Sequence, residues 1–157
     1  MSVEPLIDLS AIDLNNVALS EDKVGEMNPQ AGDMRQLDYV SYLNDEYTIA
    51  VGVKKVREDE FWVAGHIPDR PIYPGVLMIE AAAQLSSVLY HIKSTGNHFM
   101  GFTRCDNCSF RGQVVPGDTL TLIAVETKFQ RRRFICKAQG YVNDTFIFEA
   151  QITGMMM

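Results

Sequence analysis

The chain has 157 residues, of which 46% are hydrophobic and 22% charged, and it carries a net charge of −6. This length and composition predict one ordinary globular domain with a core of its own. The acidic balance argues against nucleic-acid binding, which requires a basic face. Three cysteines are an odd number and do not suggest a disulfide framework, so we expect a protein of the reducing cytoplasm.

The sequence indicates neither a targeting signal nor a membrane span. Its first residues, Met1-Ser2-Val3-Glu4-Pro5, contain no basic region and no apolar core, so no secretory signal is predicted. The longest apolar run is interrupted by Glu80 and stays below membrane-spanning length. We therefore expect no membrane partner.

Charge is spread unevenly along the chain. Residues 1–40 carry eight acids and two bases, whereas residues 104–137 carry seven bases and three acids. These segments could be two solvated faces, or the basic one could dock an acidic partner. The Gln130-Arg131-Arg132-Arg133 stretch is interpreted as an exposed hairpin turn, which with Lys128 and Lys137 could attract an acidic carrier protein.

Residues 1–33 are predicted to be an acidic leader outside the main domain, which takes up residues 34–157. The leader is a candidate for flexibility, and residues 1 to about 25 are expected to contribute little to the core because they lack a convincing apolar face. Residues 28–33, Asn-Pro-Gln-Ala-Gly-Asp, then break any regular element.

The first half of the main domain predicts a strand, a stiff loop and a helix. Apolar and polar residues alternate over 47–54, which is the period of a strand. Residues 61–75 hold three prolines and form a constrained loop. Residues 76–93 predict one helix, with Pro74 near its start and Gly96 just past its end. Its apolar residues fall on every face, which is typical of a buried helix.

The second half predicts a long antiparallel run. Strand-like segments lie near 98–112, 118–130, 132–143 and 145–153. Val115-Pro116-Gly117-Asp118 and Val142-Asn143-Asp144-Thr145 supply turns. A strand, one buried helix and then a run of strands indicate an α+β fold. The expected architecture is a curved antiparallel β-sheet wrapped around one long central helix.

Two residues could carry acid–base chemistry. His66 lies in the proline-rich loop beside Gly65, which leaves room for an unusual backbone angle or for close approach of a ligand. Glu80 is the only acid or base on the helix between 76 and 90, and apolar surroundings favour its protonated form. Taken singly, each has an ordinary interpretation as a loop histidine or a helix acid that reaches the surface. Together they are the ingredients of paired acid–base catalysis.

The predicted helix start offers a third element. The backbone N–H groups near Gly75 and Val76 lack helical acceptors and lie at the positive end of the helix dipole. They could bind a carbonyl oxygen that gains negative charge, as an oxyanion hole does.

These residues stand within a longer pattern. It comprises Gly65-His66-Ile67-Pro68, Pro71, and Pro74-Gly75-Val76-Leu77-Met78-Ile79-Glu80-Ala81-Ala82-Ala83-Gln84, followed by Phe110-Arg111-Gly112-Gln113-Val114-Val115-Pro116-Gly117-Asp118-Thr119-Leu120. The pattern resembles the signature of FabZ-type 3-hydroxyacyl-(acyl-carrier-protein) dehydratases, over about residues 37 to 153. Ile67 replaces the family's usual Phe. The family's upstream P-H-R-x-P-F stretch has no clear counterpart, and residues 29–37 occupy its place.

The resemblance implies a hot-dog fold and a homodimer, with a trimer of dimers as the larger alternative. It implies a site between subunits in which His66 removes the C2 proton of a 3-hydroxyacyl thioester. The Gly75 N–H would hold the thioester carbonyl, with Val76 beside it. Glu80 of the partner subunit would protonate the departing hydroxyl, and Gln84 would support that carboxyl. The implied substrate is carried on acyl carrier protein in fatty acid biosynthesis, and no metal or redox cofactor is required.

Three alternatives remain open at this level. A hot-dog thioesterase would use a helix acid to activate water and would not need the histidine motif. A FabA-type dehydratase–isomerase typically has Asp where this chain has Glu80. A non-catalytic acyl-binding homologue would need neither His66 nor Glu80.

Cys105 and Cys108 have the spacing of a metal or redox pair. A zinc site normally needs two further ligands, and Cys136 offers at most one. A redox pair usually opens a helix, whereas this stretch is predicted to be a strand. We therefore predict neither a metal nor a redox site, and we interpret His91 and His98 as structural.

Overall fold

The computed structural model describes residues 3–157. Two α-helices are present within these residues, α1 (Glu21–Met27) and α2 (Gly75–Lys93). The strands are β1 (Leu19–Ser20), β2 (Tyr39–Leu43), β3 (Ile49–Lys55), β4 (Met100–Phe110), β5 (Thr119–Gln130), β6 (Arg133–Val142) and β7 (Thr145–Met156). Short 3₁₀ turns lie at Leu9–Ala11 and Gly32–Met34.

All strands form one antiparallel sheet in the order β1-β2-β3-β5-β6-β7-β4. The four predicted runs after the helix are confirmed, although β7 continues past the predicted end at 153, to Met156. Met155 and Met156 pair there with Gly101 and Met100 on β4. The last strand in this order, β4, occupies one edge of the sheet, and no strand within residues 3–157 pairs with its outer side.

Helix α2 lies at the centre of the fold and packs against β3, β5, β6 and β7. Its side chains at Leu85, Val88 and Leu89 are fully buried. Burying one such aliphatic side chain contributes about 1.5–3 kcal/mol to stability. The predicted buried helix is confirmed, except that Val76 in its first turn is 73% exposed.

A single glycine allows the helix to approach the sheet closely. A Cβ placed on Gly52 of β3 would lie 3.0 Å from both Leu85 Cδ1 and Leu37 Cδ2. Protein interiors have no room to absorb such a contact without local shifts. The position therefore fixes how α2 sits on β3.

By length and composition α2 could cross a membrane, contrary to the expectation that Glu80 interrupts the apolar run too early. Just over half of its most apolar stretch is nevertheless buried within the chain. A core helix of a globular domain passes the same test, because both must be apolar. The sheet packed against α2 identifies it as the core helix of this domain.

The N-terminal segment has two parts with different packing. Residues 3–23 contribute no buried side chain, although the Leu6 N–H donates to Gln139 Oε1 at 2.8 Å and the Tyr39 hydroxyl donates to the Leu14 carbonyl at 2.9 Å. Residues 24–33 dock on the body: Val24 of α1 joins the core, and Asn28 Nδ2 donates to the Gln84 carbonyl at 2.9 Å. The stretch expected to break regular structure is thus a fixed loop against α2. A boundary at residue 33 stays a prediction.

Candidate active site

The loop between β3 and α2 carries His66 and is anchored from inside. Trp62 and Tyr73 are 4% and 1% exposed, and their ring centroids are 5.4 Å apart. The Tyr73 N–H donates to the Val114 carbonyl at 2.8 Å, which ties the end of the loop to the segment after β4. These anchors, together with the loop prolines, restrict where the His66 backbone can lie.

His66 itself is exposed, and its ring is oriented by one hydrogen bond. Nδ1 lies 2.7 Å from the Ile72 carbonyl oxygen. A carbonyl can only accept, so the proton is assigned to Nδ1 and Nε2 keeps its lone pair. The His66 N–H also donates to the Trp62 carbonyl at 2.8 Å. The imidazole is therefore held in the tautomer that can take up a proton at Nε2.

Gly65 has an ordinary backbone conformation. Its φ is not positive, so the expectation of an unusual backbone angle is wrong. A Cβ at this position would meet no atom within 4 Å. The other expectation, open space beside His66 into which a ligand can come close, agrees with this geometry.

Glu80 is partly buried on α2, and side-chain amides hold it. Its Oε1 accepts hydrogen bonds from Gln84 Nε2 at 2.8 Å and from Gln30 Nε2 at 3.1 Å. The hydrogen bonds within residues 3–157 leave Oε2 without a partner. The helix pattern indicated an acid among apolar side chains. In the structure, two side-chain amides donate to one of its two oxygens.

Gln84 has a single possible orientation. It is 2% exposed, and its Oε1 accepts from the Gln36 N–H at 3.0 Å. Its Nε2 donates both to the Met34 carbonyl, at 2.7 Å, and to Glu80 Oε1. If the amide were flipped, its NH₂ group would face the Gln36 N–H, and its oxygen would face the Met34 carbonyl and Glu80 Oε1. Gln84 therefore presents a hydrogen, and not a lone pair, to the Glu80 carboxyl.

A buried polar chain extends this network to the end of the histidine loop. The Tyr73 hydroxyl donates to Gln36 Oε1 at 2.7 Å, and Gln36 is fully buried. Burial raises the pKa of Tyr73 well above its ordinary value, so the hydroxyl stays neutral and remains a donor. Sequence reasoning missed Gln30, Gln36 and Tyr73. Their hydrogen-bond partners are distant in the sequence, and no local sequence pattern identifies such residues.

Gly75 is the first residue of α2 and is packed against an aromatic ring. A Cβ at Gly75 would lie 2.9 Å from Cε1 and Cζ of Phe110, which ends β4. The first turn is closed by hydrogen bonds from the Leu77 and Met78 N–H groups to the Pro74 carbonyl. The N–H groups of Gly75 and Val76 precede these bonds, as expected at a helix start.

Two spaces adjoin these residues. A groove of about 560 Å³ runs beside the histidine loop and is lined by Val63, Arg70, Ile72 and Val115, among others. A small cavity of about 100 Å³ touches Gln30, Glu80, Phe102 and Phe134. That volume can hold a water molecule. Within residues 3–157, no hydrogen bond joins His66 to Glu80.

Cys105 and Cys108 lie on β4 at an irregularity between Asp106 and Ser109. Partial burial and the neighbouring Cys108 raise the pKa of Cys105 to about 11. That is the opposite of what a metal ligand or a redox thiolate needs. No group of three potential metal ligands occurs in the part of the chain that the structure describes.

A family model described as a FabA-like domain matches residues 28–151. The chain is 37% identical over 109 residues to the 3-hydroxyacyl-(acyl-carrier-protein) dehydratase FabZ of Agrobacterium fabrum, covering 69% of this chain and 71% of that protein. The chain belongs to the FabZ-type dehydratase family. A FabZ dehydratase of Alkaliphilus metalliredigens is 42% identical over 106 residues, covering 66% of this chain and 71% of that protein.

Solved structures show that the FabZ-type chain has the predicted hot-dog fold. The dehydratase heterocomplex ApeI:P from Xenorhabdus doucetiae superposes with a TM-score of 0.74 at 13% identity, covering 85% of this chain and 90% of that chain. A hypothetical thioesterase with coenzyme A from Streptococcus pneumoniae gives 0.59 at 11% identity, covering 75% and 84%. At these identities the likeness concerns the fold alone.

The match to the FabA-like domain begins at residue 28, whereas the motifs that resemble the family start near residue 37. It therefore includes the stretch that departs from the family's P-H-R-x-P-F pattern. The structure shows what this stretch does: Asn28 and Gln30 contact α2 at Gln84 and Glu80. The upstream segment is thus a wall of the Glu80 environment despite its different sequence.

Proposed function

We propose that this FabZ-type chain dehydrates 3-hydroxyacyl thioesters, carried on acyl carrier protein, to trans-2-enoyl thioesters in fatty acid biosynthesis. The observation that carries the proposal is the state of the two functional side chains. His66 has its Nε2 lone pair free in an exposed position, and Glu80 has one oxygen fixed by amides and the other open. A base and a positioned acid are what β-elimination of water requires.

In the proposed reaction, His66 Nε2 takes the proton from C2 of the substrate. The electron pair of that C–H bond forms the C2–C3 double bond as the C3–O bond breaks. Glu80 Oε2 gives its proton to the departing hydroxyl, which leaves as water. The Gly75 N–H, with Val76 beside it, binds the thioester carbonyl oxygen while that oxygen gains enolate charge.

We propose that the working unit is a homodimer in which His66 of one subunit faces Glu80 of the other. Two observations support it: no hydrogen bond joins the two side chains within residues 3–157, and among the described strands β4 is an edge of 11 residues with one side unpaired. Such an edge is a template for pairing with another strand. Phe102 and Phe110 on β4 are both 46% exposed, and a second subunit would cover them. Assembly into a trimer of dimers is left to direct measurement.

The carrier is proposed to dock through the basic hairpin between β5 and β6. Arg131 and Arg132 form its exposed turn, and Lys128 and Lys137 are exposed on the flanking strands. An acidic carrier would be attracted to this end of the sheet by long-range electrostatics. A cytoplasmic location belongs to the same proposal, because acyl carrier protein would be met there.

A turnover panel tests the function directly. The same 3-hydroxyacyl chains are offered on acyl carrier protein and on coenzyme A, and formation of the conjugated enoyl thioester and release of free thiol are followed in parallel. Enoyl product without free thiol is the expected result. Free thiol without enoyl product would identify a thioesterase instead, and a shifted double bond would identify a dehydratase–isomerase. Binding without turnover would indicate an acyl-binding homologue.

A further inference from the structure

In the described part of the chain, the side-chain amide of Gln30 has one end that is hydrogen-bonded and one end that is not. Its Nε2 donates to Glu80 Oε1 at 3.1 Å, across 50 positions of the sequence. Its own Oε1 is buried and has no hydrogen-bond partner within residues 3–157. Of the two ends of the amide, only Nε2 is thus hydrogen-bonded within residues 3–157, and its partner is the Glu80 carboxyl.

The orientation of the Gln30 amide follows from its neighbours. Gln84 already donates a hydrogen to Glu80 Oε1, and its own orientation is fixed by the Gln36 N–H and the Met34 carbonyl. Glu80 Oε1 therefore accepts and does not carry the carboxyl proton. Turning the Gln30 amide around would place its oxygen against this acceptor, so Nε2 is the atom that faces Glu80.

The two amide donors on Glu80 Oε1 show which carboxyl oxygen carries the proton. The proton of the acid must reside on Oε2, the oxygen without a protein partner. When Oε2 gives up this proton, the carboxylate charge spreads onto Oε1, where the Gln84 and Gln30 hydrogens stabilise it. The two amides thus act where negative charge develops, which lowers the barrier more than it strengthens substrate binding.

We propose that Gln30 is a positioning residue for Glu80, which it holds in place and stabilises as the carboxyl loses its proton. The inference rests on the proposed function, since it assigns Glu80 the role of general acid. It also gives the upstream segment a part in the reaction, through an amide in a stretch where the family's usual motif is absent.

The test is Gln30→Met, which keeps the length of the side chain and removes both its donor and its unpaired oxygen. We expect kcat to fall about tenfold to a hundredfold, the range for loss of a hydrogen bond to a charged group. KM should change by less than about twofold, because substrate binding does not use this amide. The midpoint of thermal unfolding should stay the same or rise. Asn15→Leu, which removes an exposed side-chain amide from the N-terminal segment, is the control and should change neither kcat nor KM.

The coupling to Glu80 is measured in a double variant. Adding Gln30→Met to Glu80→Gln should cause no further loss, because the acid that Gln30 serves is already gone. Wild-type kcat in Gln30→Met, additive losses in the double variant, or a lowered unfolding midpoint with proportionate loss of activity would each overturn the role of Gln30. A wild-type chain that does not dehydrate 3-hydroxyacyl thioesters would overturn this inference together with the proposed function.

Discussion

The loop that carries His66 and the helix that carries Glu80 differ in how tightly they hold the functional side chain. The His66 ring is exposed and has one hydrogen bond, to a backbone carbonyl. Glu80 is fixed by two side-chain amides, one of which is held by two further groups of the chain, the Gln36 N–H and the Met34 carbonyl. The acid is therefore organised by its own chain, whereas the base is left accessible. The proposed site between two subunits would account for both arrangements.

The largest expected effect comes from removing either member of the pair. His66→Ala and Glu80→Gln should each lower kcat roughly a hundredfold to ten-thousandfold, the usual range for loss of a general base or acid. Purified variants are compared with wild type under saturating substrate, with size-exclusion chromatography to confirm that each keeps its oligomeric state. Glu80→Gln with full activity would exclude Glu80 as the acid.

Mixing these two inactive variants sharpens the comparison. In a heterodimer of His66→Ala and Glu80→Gln, one shared site holds both native residues and the other holds neither. Activity should therefore recover to about one working site in two for each heterodimer formed. Subunit exchange is followed separately with differently tagged chains. Proven exchange without recovery would place both residues of a site in the same subunit.

Substitution of Gln84 tests whether its amide supports the Glu80 carboxyl. Gln84→Met would leave the Gln36 N–H and the Met34 carbonyl without their partner. Each buried group left unpaired costs about 1–3 kcal/mol, so the midpoint of chemical unfolding should fall together with kcat. This contrasts with Gln30→Met, for which only kcat should fall. An unfolding midpoint unchanged in Gln84→Met would show that water replaces the amide.

Two glycines allow the helix start to be compared with the loop. Gly75→Ala would place a methyl group 2.9 Å from the Phe110 ring, so either that ring or the start of α2 must shift. A shift of α2 displaces the Gly75 N–H, and misplacing a binding group should lower kcat about tenfold or more. Gly65→Ala meets open space and should lose far less. Equal losses in the two variants would argue against the Gly75 N–H as the carbonyl-binding group.

Two truncations test the division of the N-terminal segment. Removal of residues 1–18 should leave kcat and stability nearly unchanged, because residues 3–18 contribute no buried side chain. Removal of residues 1–30 also takes away Val24, Asn28 and Gln30, so it should lower both kcat and the unfolding midpoint. Circular dichroism melts and turnover are measured on both chains. A short truncation that unfolds would refute the leader interpretation.

The smallest expected effect concerns the basic hairpin. Reversing Arg131 and Arg132 to Glu should raise KM for a substrate on acyl carrier protein by several-fold. The same acyl chain on a small thiol should be little affected, because it does not need the docking surface. The difference should shrink as ionic strength rises. Equal changes for both substrates would show that the substitutions disturb the fold.

Much of the fold followed from local patterns. The apolar helix and the four strands after it were predicted with nearly correct bounds, because each has a strong hydrophobic period of its own. The short elements β1, α1 and β2 were missed, although Ser20 caps α1 through the Lys23 N–H. Elements this short bury too little apolar surface to leave a clear period in the sequence, and their packing against the rest of the chain stabilises them.

The sequence by itself determined which residues could do chemistry. His66, Gly75, Glu80 and Gln84 are marked by residue type, spacing and the apolar run around Glu80, all of which are local properties. The tertiary structure alone decided how they are held. The contact of Gln30 with Glu80 spans 50 positions of the chain, and the Gln84 amide is oriented by Gln36 and Met34, which lie 48 and 50 positions away. Hydrogen bonds between distant segments exist only once the chain has folded, and no local pattern records them.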